Sequence, residues 1–541
     1  MACALYLPYL GNPPVFDDKV FYSGYRFSEY ASSPIGAGVR FPAYFSLVFV
    51  EVVFGRIEAH RVVSLVLHIA CAWTVYALIR ALEVRRLAAF AGAALFAVHP
   101  IAVYGAGYLV QRSIVVATLF GLLSLLLYLR GMRSGHYTDA IVAALLYSLA
   151  VLSKEHAVLL PAVAAVLVPL VGERLRFALR YTALYFLACA PAALLVALLS
   201  KGIIGQPYEP HFDAVAAQVA NAYWSEVLSS PWVGSAIAQA TLFFKYVALW
   251  LAPNTAGMSL DVRVDFVEHW SPAIALPALF GFLGWAVLAA YLVTKRGRVG
   301  IAAFGLLYVW ILFLTEFAAV RFQEPFVLYR SYLWAPGLAI AVAVALECLR
   351  PRVMLALLVP ALAILAWQAH DRLNSFSSGL AVWEDAAAKL PPAAIPGGYR
   401  PLYEVGREYL YAGRVQEALQ VTDRCMKLYP TTYDCFFARG AFHIHLGQYE
   451  AALPYVMRAI ALRPEDGVAR HHLGLVLENL GCLDEAKAQY RDALERHFKG
   501  AQHRLDRIES PGKGLLPPLQ APPPTGDCSK LLARSRALRP G

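Results

Sequence analysis

The sequence predicts an all-α chain in two parts, a polytopic helical membrane domain followed by an α-solenoid. Two observations carry this. Upstream of about residue 370 lie roughly ten apolar segments of bilayer-crossing length. Downstream, glycine and alanine recur at a fixed spacing of 34 residues. The composition agrees: of 541 residues, 59% are hydrophobic and only 16% charged, far more apolar than a soluble chain. A net charge of +10 invites a nucleic-acid partner, but most Lys and Arg sit in short loops between apolar runs, as orientation in a bilayer requires. The basic balance therefore reads as topology, and no nucleic-acid partner is expected.

Taken in order, the candidate spans are 60–82, 87–105, 113–130, 139–153, 156–172, 179–200, 272–294, 299–319, 331–349 and 352–369. Ala2–Leu10 is too short to cross about 30 Å of hydrocarbon and reads as an interfacial stub or the end of an eleventh span. Basic clusters fall at Arg85/Arg86, Arg130/Arg133, Arg174/Arg176/Arg180, Lys295/Arg296/Arg298 and Arg350/Arg352. They share one side if 236–252 is a re-entrant or interfacial helix within an outward loop, 201–271. That loop carries Trp224, Trp232, His211, Glu226, Lys245 and Asp261, read either as a cleft wall or as an aromatic belt at headgroup depth.

The domain boundaries that follow are a membrane domain at 1–370, a connecting segment at 371–398, repeats at 399–500 and a disordered basic tail at 501–541. The repeats rest on Gly406/Gly440/Gly474, Gly413/Gly447/Gly481 and Ala418/Ala452/Ala486, with Pro430 and Pro464 closing the first two units. Small residues where paired helices cross, a turn glycine and a closing proline form the tetratricopeptide pattern. Three such units offer a concave groove for an extended protein partner. The eight cysteines show no metal-ligand spacing. Cys425 and Cys435 read as buried thiols, with a disulfide as the alternative if the repeats lie outside the cytoplasm. His443, His445, His471 and His472 do not share a helix face in any way that gathers a metal.

Polar residues collect at the outward ends of the apolar segments: Asp17 and Asp18; His99; Gln111 and Arg112; Lys154, Glu155 and His156; Arg321, Glu324, Tyr329, Arg330 and Tyr332. Ionisable groups at membrane depth are costly and mark function by default; helix caps and snorkelling side chains are the alternative. The set has a chemical logic. Arg112, Lys154 and Arg330 would neutralise a phosphate leaving group, and Asp17 or Asp18 would take the proton from an acceptor hydroxyl.

On these residues the chain resembles a known family. Phe16-Asp17-Asp18 resembles the acidic first-loop motif of GT-C glycosyltransferases. Leu95-Phe96-Ala97-Val98-His99-Pro100, Tyr108-Leu109-Val110-Gln111-Arg112, Leu152-Ser153-Lys154-Glu155, Tyr329-Arg330-Ser331-Tyr332-Leu333 and Trp383-Glu384-Asp385, followed by the repeats, are similar to the transmembrane-and-TPR branch. The resemblance implies a polyprenyl-phosphate-linked sugar donor, inverting transfer to Ser or Thr of an exported protein held by the repeat groove, and an outward active site with the repeats in the periplasm of a bacterial plasma membrane. It implies Asp17 and Asp18 as catalytic carboxylates. It implies Arg112, Lys154, Arg330, His99 and Gln111 around the donor phosphate, with Glu155, Glu324, Tyr329 and Tyr332 nearby. No cofactor is expected. Two alternatives stay open: an oligosaccharyltransferase using a pyrophosphate-linked glycan and a divalent metal, and a non-enzymatic membrane scaffold that recruits secretion partners through the repeats.

Overall fold

A computed structural model describes residues 1–23, 25–32, 39–171, 175–207, 231–509 and 528–537. The expectations for Arg174, His211, Trp224 and Glu226 fall outside them. Among the described residues there is no strand, only two isolated bridges, Pro207 with Val320 and Val262 with Phe326. The chain is all-α and divides into two compact units, Met1–Lys389 and Leu390–Gly541. Residues 371–389, expected in a connecting segment, belong to the first unit, because helix Pro351–Ser375 runs on past the apolar stretch and Gly379–Ala388 follows it.

In the first unit each of the ten expected spans falls on helix. By length and composition, seven described helices are able to cross a bilayer, or eight if the bent pair Arg86–Ala97 and Pro100–Ala106 is one span. Three of the expected spans, at Tyr137–Ser153, Glu155–Val171 and Ala335–Glu347, are shorter apolar helices. Lys154 causes one shortening: its extended backbone (φ −155°, ψ 120°) separates Tyr137–Ser153 from the turn that follows. Phe280, Val287 and Trp367 stay exposed on outer helices, as side chains facing lipid would. Between Gly297–Phe313 and Ala335–Glu347, Gly305 and Gly337 abut each other's carbonyls, where a side chain would not fit.

Ion pairs fix which helix ends lie together. Arg85 and Arg298 both bind Glu347, at 3.3 and 2.9 Å. Arg298 Nη1 also donates to the Glu83 carbonyl at 3.1 Å, and Arg133 pairs with Glu83 at 3.2 Å. This basic end therefore gathers the C-terminal ends of Ile57–Ala81, Arg112–Ser134 and Ala335–Glu347 with the N-terminal ends of Arg86–Ala97 and Gly297–Phe313. Their opposite ends carry the polar residues named above. The 236–252 stretch forms helix Pro231–Leu251, long and apolar enough to cross. Both its ends are nevertheless tied to that opposite end: Trp232 Nε1 donates to the Phe317 carbonyl at 2.7 Å and Trp250 Nε1 to Ser331 Oγ at 2.9 Å.

The second unit opens with three helix pairs: Tyr399–Tyr411 with Val415–Leu428, Tyr433–His445 with Tyr449–Leu462, and Gly467–Asn479 with Leu483–Glu495. The 34-residue register has a direct structural reason. A Cβ on Gly440 would stand 2.6 Å from Val456 Cγ2, and one on Gly474 2.6 Å from Tyr490 Cε1. Gly413, Gly447 and Gly481 hold φ of 73°, 70° and 82° at the inter-helix turns, which glycine adopts without strain.

Two expectations for this unit are corrected. Cys425 and Cys435 are bonded rather than free thiols, because neighbouring helices bring their Cα atoms to 5.6 Å, within bridging range. The segment 501–541 is not wholly disordered. Gln502–Glu509 and Cys528–Ala537 are helices; Leu505, Ile508, Leu531 and Leu532 pack on the core of the last repeats, and a second disulfide joins Cys482 to Cys528. Pro522, Pro523 and Pro524 lie outside the described residues.

Candidate functional site

The site is assembled at the end of the first unit opposite the basic loops. Asp17 and Asp18 begin helix Asp17–Ser23, just after Phe16, whose φ of 45° is unusual for a bulky residue. The ring of Phe16 is wedged edge-on against Trp383, centroids 5.2 Å apart. The two carboxylates differ in surroundings. Asp18 is fully buried, and its oxygens accept from the backbone N–H groups of Val110 and Val15 at 2.8 and 3.3 Å. Burial pushes its carboxyl up to about 6, against the pull of the neighbouring Arg61. Asp17 is half-buried, and its backbone N–H donates to Tyr108 Oη at 3.1 Å.

Tyr108 leads to the cations. Its ring meets that of Tyr329 edge-on at 6.4 Å, and Tyr329 in turn faces Lys154 Nζ at 5.4 Å and the Arg330 guanidinium at 6.0 Å. Lys154 is 2% exposed. Among the described residues its ammonium makes no hydrogen bond or ion pair; it faces the Tyr329 ring. Burial first, and then the nearby Arg40, push it down to about 7, despite the opposing pull of Glu155. Desolvation without a direct ion pair is an unfavourable state for an ammonium, and an incoming anion would relieve it.

Around Lys154 runs a charge network. Arg40 binds Glu155 through Nη2 at 2.6 Å and Nε at 3.1 Å. His156 stands between two carboxylates, its ring nitrogens 3.5 Å from Glu155 and 3.5 Å from Glu316. Glu316 pairs with Arg330 at 3.0 Å and faces Arg321 at 3.8 Å; Glu324 lies 3.9 Å from Arg330.

Other expected site residues are placed elsewhere. Arg112, fully buried, is saturated by protein acceptors: Ser64 Oγ at 3.1 Å, the Ser46 carbonyl at 3.2 Å and the His60 carbonyl at 2.8 Å. It braces three helices instead of facing open space. His99 stacks on Trp250 at 4.1 Å, with Nε2 on the Trp250 carbonyl at 3.1 Å and Nδ1 accepting from Ile101 N–H at 3.2 Å. Tyr332 is buried against His68, Oη to Nδ1 2.7 Å. Gln111 is buried, and among the described residues its Oε1 has no hydrogen-bond partner. Asp261, in the 201–271 segment, pairs with Arg263 at 2.8 Å.

Arg40, Arg61 and Glu316 were not singled out from the sequence. Glu316, inside an apolar run, and Arg61, near the start of a span, carry the signal of a charge at membrane depth; Arg40 carries none. As for metals, among the described residues the one group of three ligand-type side chains close enough to share an ion is Cys482, Glu485 and Cys528, and its two cysteines are bonded to each other. In the repeats, His443 Nδ1 bonds Gln448 Oε1 at 2.8 Å and His472 Nδ1 the Val468 carbonyl at 2.9 Å.

Comparison with known proteins bears on the second unit. A tetratricopeptide repeat family model matches residues 433–466 and 468–496, the second and third helix pairs; the geometry adds the first. The chain is 30% identical over 140 residues to the human (Homo sapiens) protein DnaJ homolog subfamily C member 3, covering 25% of this chain and 28% of that protein. It is 30% identical over 111 residues to its mouse (Mus musculus) counterpart, covering 20% and 22%. The chain thus spans about a quarter of the length of the curated relatives it matches. What is shown is an all-α chain with several apolar helices able to cross a membrane and a C-terminal array of tetratricopeptide repeats.

Proposed function

We propose that the protein is an integral-membrane glycosyltransferase of the GT-C type. In this reading it moves a sugar from a polyprenyl-phosphate carrier to Ser or Thr hydroxyls of an exported protein. The observation that carries the reading is Lys154, a buried ammonium with no ion pair among the described residues, set beside Arg330 on one tyrosine ring. A lipid phosphodiester carries the negative charge that this buried ammonium would attract.

Across Tyr108 and Tyr329, Asp17 would accept the proton of the acceptor hydroxyl as that oxygen attacks the anomeric carbon and the lipid phosphate departs. Lys154 and Arg330 would hold the developing phosphate charge. Asp18, committed to two backbone N–H groups, would pin the loop that presents Asp17. The repeats would raise the local concentration of the acceptor. The bonded cysteines of the repeat unit favour an oxidising compartment, so the site and repeats would face the periplasm and the basic loops the cytoplasm.

A non-enzymatic scaffold accounts for the repeats but gives Lys154 no role. The pyrophosphate alternative needs a cluster of metal-binding carboxylates, which is not gathered among the described residues. Intact mass spectrometry of exported proteins from cells with and without the gene tests the proposal. Loss of one sugar mass from a protein in the deletion strain is the expected result; unchanged masses throughout the exported set would contradict it.

A further inference from the structure

One face of helix Arg112–Ser134 has no part in the site described above. Leu123, Leu126, Leu127, Arg130 and Arg133 follow one another at helical spacing, which sets them on a single face. With Leu146 of the neighbouring helix Tyr137–Ser153 they line a groove of about 680 Å³, open on its outer side, a volume within the range of small-ligand sites. The leucines are only half-buried. Both arginines lie toward the basic end of the unit. From Leu123 to Arg133 the helix advances about 15 Å, roughly half of a 30 Å hydrocarbon core. The groove is therefore about one leaflet deep, apolar along its length and cationic at its mouth.

The two cations are held differently. Arg133 is anchored: its Nη1 donates to the Ala81 carbonyl and its Nη2 pairs with Glu83 at 3.2 Å. Arg130 is exposed. Among the described residues its guanidinium makes no hydrogen bond, and its acidic neighbour, Asp139, stands 3.7 Å from Nε. Elsewhere at this end the cations are committed to protein, as Arg85 and Arg298 are to Glu347. Orientation in a bilayer asks only that cations lie on one side; it does not ask that they cap an apolar groove. We propose that this groove binds an anionic phospholipid of the leaflet at the basic end, one acyl chain along the leucines and the phosphate on Arg130, with Arg133 beside it. Basic pockets between membrane helices take acidic head groups in this way. The inference needs the membrane helices but not the transferase reading, and would stand without it.

The test uses the full chain in detergent and native mass spectrometry, read at the first lipid bound, with phosphatidylglycerol and phosphatidylcholine titrated separately. Wild type should bind phosphatidylglycerol the more tightly. Arg130→Gln should weaken that binding about fivefold, the effect of one basic residue on an anionic lipid, and leave phosphatidylcholine unchanged. Leu126→Trp, which fills the groove and keeps both charges, should weaken phosphatidylglycerol binding as well. Arg352→Gln, exposed at the same end but outside the groove, should match wild type. Glycerol phosphate, a head group without chains, should fail to displace phosphatidylglycerol from wild type, an arm that serves if the tryptophan variant does not fold. Wild-type affinity in folded Arg130→Gln or Leu126→Trp would overturn the proposal. An equal loss in Arg352→Gln would overturn it too, since the attraction would then belong to the general surface charge. Displacement by glycerol phosphate would replace the lipid with a free phosphate as the ligand.

Discussion

The two units treat a buried charge in opposite ways. In the repeats, Glu478 is buried on Gly467–Asn479 and is met by Arg504 at 3.1 Å and by the Tyr490 hydroxyl; the pairing is local and the helices it joins are packed for it. In the membrane unit, Lys154 is as deeply buried, and among the described residues its ammonium has no hydrogen bond or ion pair, only a tyrosine face beside it and charges farther off. A buried ion is tolerable when its partners are built in. An ion left without one marks a place where the partner arrives from outside. The repeat unit is therefore read as a finished scaffold and the polar end of the membrane unit as a site awaiting an anion.

The sharpest way to break this contrast is at the two carboxylates. Asp17→Asn should reduce sugar transfer by ~10²–10⁴-fold, the usual span of general-base catalysis, in a protein that still folds and binds donor. Asp18→Asn should act on structure, lowering the melting temperature because one of two backbone N–H groups loses its acceptor. Equal loss of transfer without loss of stability in both variants would remove the distinction between them.

Next in size are changes to the repeat scaffold. Gly440→Leu places a side chain where Val456 stands 2.6 Å away from a bare Cβ. Overpacking of this kind costs about 1–3 kcal/mol or more, so the repeat unit should melt earlier while donor binding stays unchanged. Cys482→Ser should free Cys528–Ala537 and cost about 2–4 kcal/mol, read as faster amide exchange in that helix and around Leu480. Unchanged exchange would mean that Leu531 and Leu532 hold it without the bond.

A smaller effect distinguishes Lys154 from the permanently charged arginines. Its ammonium is depressed to about 7 by burial, so the charged form that attracts an anion is complete below that pH and lost above it. Affinity for a polyprenyl phosphate should fall as pH rises through 7, by at most about tenfold per pH unit. A flat profile from pH 6 to 9 would assign the attraction to Arg330 alone.

The two units also differed in how far they were legible. The repeats are fixed by contacts that return every 34 residues, so spacing alone revealed their helices, turns and crossing glycines. Their disulfides were not legible: Cys425–Cys435 depends on how neighbouring helices dock, and Cys482–Cys528 on a tail helix that composition disguised. In the membrane unit the helices were legible from hydropathy, and the polar end from charges at costly depth. The partnerships were not. Arg40 meets Glu155 across 115 residues of sequence, and Arg112, which looked like a phosphate ligand, is saturated by Ser46, Ser64 and His60. Sequence pattern shows that a cation is buried; only the packing shows whether its counter-charge is already there.

The central claim is that the lone ammonium at the polar end of the membrane unit binds the donor phosphate. The most direct measurement is the affinity of a polyprenyl phosphate for the full chain in nanodiscs, compared among wild type, Lys154→Met and a repeat-unit control, His443→Ala. Lys154→Met should weaken binding by roughly tenfold or more, since a charge-assisted contact contributes about 1.5–3 kcal/mol, with the fold intact and His443→Ala matching wild type. A folded Lys154→Met protein that binds the lipid phosphate as tightly as wild type would contradict it.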